Sequence, residues 1–208
     1  MVVAGLRERK KRATRTAIHD AGMELFASQG FARTTIDQIA EAADVSRATV
    51  FSYFPTKEEI VFGEGGVAID DLASRLRDRP ADRTTIGVVR AWLDELVGWL
   101  EPGLVLQQRL VREVPVVGAR RLQLFGDAER VIADSLEAEL RLEHPLAGRL
   151  AAAALVAGLR VAEETAAARM QDEDRALTAP EVSDLLDGAV AFADAGIAAL
   201  GARPSASG

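Results

Sequence analysis

Along residues 30–57 the apolar positions recur at helical spacing. Ile36, Ile39, Ala40 and Ala43 fall three and four apart, behind a Thr35/Gln38 pair whose separation matches a capping box. Asp44, Val45 and Ser46 then interrupt the pattern. The Ser46 hydroxyl can accept from the free amides of a following turn, which predicts a second helix beginning at Arg47. Val50 and Phe54, four apart, face inward on that helix, leaving Arg47, Ala48, Thr49, Ser52 and Tyr53 outward. Upstream, Ile18, Ala21, Leu25 and Phe26 form an apolar stripe on a helix running to about Ser28 and stopped by Gly30. The pattern therefore predicts a helix-turn-helix on a helical platform. Spacing alone fits a capped helix pair in an all-helical core equally well.

Beyond Pro55, Thr56 is placed to cap a fourth helix with Glu58 and Glu59 in its first turn, where carboxylates suit the positive helix end. Gly63, Gly65 and Gly66 interrupt it, and a helix-interior glycine costs about 1 kcal/mol, so a break, kink or hinge is expected before periodicity resumes over 67–79. After a loop at 80–83, five more helices are predicted, about 84–101, 104–114, 116–142, 146–171 and 179–201, punctuated by Pro102, Pro115, Pro145 and Pro180. No strand alternation and no repeat emerges. The fold class is all-α, with about nine helices, and residues 203–208 are expected to be a disordered tail. In the last helix Val182, Leu186, Ala189, Ala193, Gly196 and Leu200 make a coiled-coil-like seam. Gly148, Ala151, Leu155, Gly158 and Ala162 make a small-residue seam in the helix before. Two such seams per chain suit a four-helix bundle across a twofold axis, or packing within one chain.

Composition narrows the chemistry. There are no cysteines and only two histidines, His19 and His144, so disulfides, thiolate sites and a histidine metal cluster lack material; no metal, cofactor or catalytic residue is expected. Asp94, Glu95, Glu163 and Glu164 form no recognisable catalytic constellation. The net charge of −7 is unevenly spread: residues 1–57 hold nine Lys/Arg against six Asp/Glu, the remainder sixteen against twenty-six. A basic head on an acidic body would orient on a polyanion. The basic run from Arg7 to Arg12, with Arg15, fits an arm that enters a minor groove or lies along phosphates, or a frayed, solvated terminus. The longest apolar run, 151–159, falls short of the roughly 20 residues that span a bilayer, and no apolar segment follows the basic N-terminus, so a cytoplasmic location is expected.

The residues Gly30, Phe31, Thr34, Thr35, Ile39, Ala40, Val45, Ser46, Thr49, Phe51, Tyr53, Phe54 and Lys57, in this order, resemble the DNA-binding domain of the TetR family of bacterial regulators. The resemblance implies an N-terminal three-helix DNA-binding domain over 1–57 and a helical effector-binding and dimerisation domain over 58–202. It implies a homodimer joined through the last two helices, bound to a palindromic double-stranded operator and released by a small-molecule effector. Arg47 bonding guanine, Ala48 and Thr49 touching thymine methyls, and Arg33, Thr35, Ser46, Ser52, Tyr53 and Lys57 holding phosphates or base edges would be its DNA contacts. Where the family usually has Tyr, this chain has Phe51, so that phosphate contact is absent. The family's middle helices enclose an effector cavity, which makes Trp92, Leu96, Trp99, Arg109, Arg112 and Phe125 ligand-binding candidates; the arginine stretch ending at Pro115 loosely resembles the members answering to acyl-CoA-type ligands. The tryptophan stripe also fits a core, and the arginines a solvated face. A transcriptional activator, or a small-molecule carrier or enzyme with a vestigial helix-turn-helix, are the competing readings.

Overall fold

The computed structural model describes residues 2–97, 103–140, 146–173, 175 and 177–201. Among these residues every regular element is an α-helix, and there are ten: α1 (Val2–Gln29), α2 (Ile36–Ala42), α3 (Arg47–Tyr53), α4 (Lys57–Val61), α5 (Gly65–Arg77), α6 (Thr85–Val97), α7 (Leu104–Glu113), α8 (Pro115–Leu140), α9 (Ala147–Asp172) and α10 (Ala179–Gly201). The count exceeds the nine expected because the fourth helix is two helices. The break falls at Phe62–Glu64, where Gly63 has φ +51. An L side chain there would be strained, and its Cβ would lie 3.2 Å from Nδ1 of His19. The basic run continues α1, with Arg7, Arg9, Lys10, Lys11 and Arg12 exposed along the helix.

The chain divides into two compact units, Met1–Ala68 with Leu106–Leu122, and Ile69–Val105 with Gln123–Gly208. In the first, α1 packs on α2 and α4, and α2 on α3. Ile18, Phe26, Ile39, Val50, Phe54 and Ile60 form its centre, each 1% exposed or less. The helical periodicity that predicted inward positions has its outcome here. Burying a side chain of this size contributes about 1.5–3 kcal/mol, enough to fix three short helices that would not persist alone.

In the second unit α9 and α10 pack against each other, and α10 against α6. Arg90 of α6 donates to Ser183 Oγ at 3.0 Å and pairs with Asp187 at 2.8 Å on α10. Ala151, Leu155 and Ala162 of α9 and Val182, Leu186, Ala189 and Ala193 of α10 are all buried within the single chain. The two seams meet at their middle, where a Cβ on Gly158 would lie 2.7 Å from Ala189 Cβ and 3.1 Å from its Cα, whereas Gly148 faces Glu137 of α8 and a Cβ on Gly196 would meet nothing within 4 Å. Small residues signal close approach without saying which chain approaches. Large apolar side chains exposed on this helix pair and at the start of α9 include Leu146, Leu150, Val161 and Phe192, the last at 70%.

Gly158→Leu is expected to overpack this contact and lower the unfolding free energy by about 1–3 kcal/mol. Urea denaturation over a hundredfold range of protein concentration checks it. The destabilisation should be the same throughout, because the contact lies within one chain.

Candidate nucleic-acid interface

The helix-turn-helix is built from caps. Thr35 Oγ1 accepts from the Gln38 amide at 3.3 Å and Gln38 Oε1 accepts from the Thr35 amide at 2.9 Å, closing the capping box. At the other end of α2 the Val45 amide donates to Ala40 O at 2.9 Å and Asp44 takes φ +53, a left-handed turn that Asp tolerates better than most L residues. Ser46 Oγ then accepts from the Thr49 amide at 3.0 Å and bonds the Thr49 hydroxyl at 2.8 Å. With Val50 and Phe54 fully buried, the opposite face of α3 presents Arg47, Ala48, Phe51 and Ser52 to solvent, beside the half-buried Thr49 and Tyr53. Ser52 Oγ donates inward to Thr49 O at 2.7 Å, which leaves its lone pairs outward. Arg33 is exposed and donates through Nε to Gln29 O at 2.6 Å, holding the end of α1.

Lys57 departs from the expected role of phosphate ligand. Its ammonium donates to Phe31 O at 2.7 Å and Thr34 O at 2.9 Å and lies 4.2 Å from the centre of the Phe31 ring. Burial pushes the Lys57 ammonium down from its ordinary value, partly opposed by Glu58. It staples the loop before α2 to the start of α4.

Arg15 was grouped with the basic run but turns inward. It donates to Tyr53 O at 2.7 Å through Nη1 and to Gly63 O at 2.9 Å and 3.2 Å through Nη2 and Nε, with its guanidinium 4.2 Å from the centre of the Phe54 ring. Glu64 lies 3.7 Å away. Burial pushes the Arg15 guanidinium down, while Glu64, Glu59 and Tyr53 oppose that shift. One available signal was its phase, three residues before Ile18 on the buried stripe. The end of α4 is held from residues 106–122: Gln107 Nε2 donates to Val61 O at 3.4 Å, Arg120 pairs with Glu59 at 3.4 Å, and Arg121, buried, lies over the Phe62 ring.

The expected effector residues do not converge in the same way. Trp92 is buried in α6 among Val88, Val89 and Leu93, and Phe125 is half-buried in α8. Arg109 and Arg112 are exposed on α7, within the first compact unit. Leu96 lies in α6, its side chain outside what the structure describes, and Trp99 falls outside the described residues.

A capped helix-turn-helix with an outward second helix defines a sequence-reading class of protein. Residues 18–63 match the family model described as bacterial regulatory proteins, TetR family. It is 30% identical over 142 residues to the transcriptional regulator TcmR of Streptomyces glaucescens, covering 62% of this chain and 63% of TcmR. The chain thus spans less than two thirds of that relative's length. Among solved structures it is similar to the SmeT–triclosan complex (TM-score 0.58, 23% identity, 90% of this chain and 91% of that one). It is also similar to Thermus thermophilus FadR, a TetR-family repressor in complex with lauroyl-CoA (TM-score 0.50, 26% identity, 93% and 98% covered).

Lys57→Ala is expected to cost about 1–3 kcal/mol, because the carbonyls of Phe31 and Thr34 lose their donor. Thermal denaturation checks it. The Lys57→Ala melting temperature should fall clearly below that of Lys11→Ala, which removes a cation at the surface.

Proposed function

We propose that this protein is a homodimeric, ligand-responsive transcriptional repressor that reads a palindromic operator through α3. The carrying observation is the outward face of that helix: one guanidinium, one methyl and hydroxyls, on a backbone locked by two caps and a fully buried opposite face. Arg offers a bidentate fork to guanine O6 and N7, and Ala and Thr methyls suit thymine. Arg33, Thr35, Ser46, Ser52 and Tyr53 surround this face as candidates for phosphate or base-edge contacts. On this reading residues 1–57 are the reader, and 58–202 the effector-binding and dimerisation part.

Dimerisation through the last two helices is supported by the apolar side chains left uncovered on α9 and α10, above all Phe192 and Val161, rather than by the seams, which meet within the chain. A twofold dimer would place two copies of α3 about 34 Å apart, one helical turn of DNA. The effector class we favour is a small apolar or acyl-type molecule. Trp92 and Phe125 supply aromatic surface in the second unit, and the similar FadR and SmeT structures hold lauroyl-CoA and triclosan, respectively. Its binding would shift the dimer toward a state that releases DNA, by no more than its differential affinity for the two states.

Mobility shift of the duplex upstream of the protein's own gene tests the reading, and addition of a fatty acyl-CoA series tests the effector class. Arg47→Ala should lose about 1–3 kcal/mol of discrimination at one base pair of each half-site. Absence of any shift by the wild-type protein would overturn the proposal.

Phe192→Asp should convert the dimer to a monomer in sedimentation velocity and abolish operator binding while helicity is retained. A Phe192→Asp dimer would refute this interface.

A further inference from the structure

An acidic side chain on a surface meant for a polyanion calls for a reason. Asp37, in the first turn of α2, accepts from Nη1 of Arg47 at 2.9 Å through Oδ1 and 2.7 Å through Oδ2. On its other side the guanidinium faces the ring of Phe51, one turn along α3, at 5.5 Å from Cζ to the ring centre. Thus the first residue of α3 is gripped by a carboxylate from the preceding helix and by an aromatic ring from its own.

Stability does not explain the pair. The side chains of Arg47 and Asp37 are 59% and 66% exposed, and exposed ion pairs contribute little. Charge does not explain it either, since a carboxylate here repels phosphate at every sequence. Geometry does. An unrestrained Arg must surrender rotamer freedom on binding, and a fork already fixed surrenders less. The Asp37 bonds use Nη1 and leave the N–H groups of Nε and Nη2, which suit the paired acceptors O6 and N7 of guanine. Phe51 has the same logic: its lack of a hydroxyl forfeits a phosphate contact, while its ring provides a face for the guanidinium.

We propose that Asp37 and Phe51 are positioning residues that pre-set Arg47 for one guanine in each half-site, so that an acid outside the expected contact set determines sequence specificity. The inference rests on the DNA-reading proposal above.

The test uses the full chain and the duplex it enriches from a random pool, with affinities measured by fluorescence anisotropy for that duplex, its single-base variants and an unrelated duplex. The wild-type protein should prefer guanine at one position by about 10- to 100-fold. Asp37→Asn should keep its helicity and melting temperature and bind the unrelated duplex at least as tightly, yet lose about fivefold or more of that preference. Phe51→Leu should reduce it in the same direction, and Asp37→Asn in an Arg47→Ala background should change it no further. Asp37→Asn that tightens binding to every duplex alike, with each base preference intact, would show a repelling charge and overturn the inference. So would a uniform loss of affinity with the guanine preference kept, or a gain confined to the enriched duplex. A wild-type chain that enriches no sequence brings down the DNA-reading proposal itself, and this inference with it; the variant outcomes bring down only the inference.

Discussion

One guanidinium joins the parts of the N-terminal unit that local sequence cannot join. Arg15 reaches from α1 to the carbonyl of Tyr53, at the end of α3, and to that of Gly63, in the turn between α4 and α5. The last carbonyls of a helix have no partner within it, and α3 is only seven residues long, so a donor at its end matters in proportion. Gly63 supplies the second acceptor because its left-handed φ turns the chain there. The end of α3 and the break after α4 therefore share one cation. Any movement of the Gly63 turn must either carry Tyr53 with it or break charge-assisted bonds in a half-buried site, where such bonds are strongest. The grip of Gln107, Arg120 and Arg121 on α4 acts on the neighbouring stretch, 59–62. The turn is thus held from two directions by side chains.

What could be read from the sequence was what is local. The Thr35/Gln38 box, the Ser46 cap, the stop at Gly30 and the inward phase of Val50 and Phe54 each depend on residues at most four apart, and each is present. The glycine cluster announced a break but not its place, since three glycines share the cost and only the φ of Gly63 selects the turn. Arg15, Lys57 and Asp37 were not legible in their roles. Their partners lie 10 to 48 residues away, and a basic residue in a basic run looks solvated whichever way it points. The α9 and α10 seams are ambiguous for a different reason: small residues encode a distance of approach, and that distance is the same whether the neighbour is the same chain or another.

The effector side was less legible still, for a physical reason. A reading surface is a short run of contiguous residues, so one helix displays it. An effector cavity is defined by the space among several helices, and periodicity reports only that Trp92 is inward, not whether it faces a ligand or its own neighbours. Arg109 and Arg112 share a helical face by spacing, and that face is solvent.

The internal roles of cations also revise how the basic head works. Of the nine cationic side chains in residues 1–57, Arg15 and Lys57 are committed to backbone carbonyls and Arg47 is half-neutralised by Asp37. The other exposed cations of this part of the chain are then Arg33 and those near the start of α1. Such a division separates two tasks that compete when one residue performs both. Charge at a distance raises affinity for all DNA and is screened by salt, whereas a restrained fork in the groove discriminates among bases and gains little from net charge. On the proposed function, a nearly neutral α3 with the positive charge placed elsewhere would lower non-specific binding without lowering the rate of encounter. The acid at position 37, costly if affinity were the only aim, is consistent with a surface arranged for discrimination.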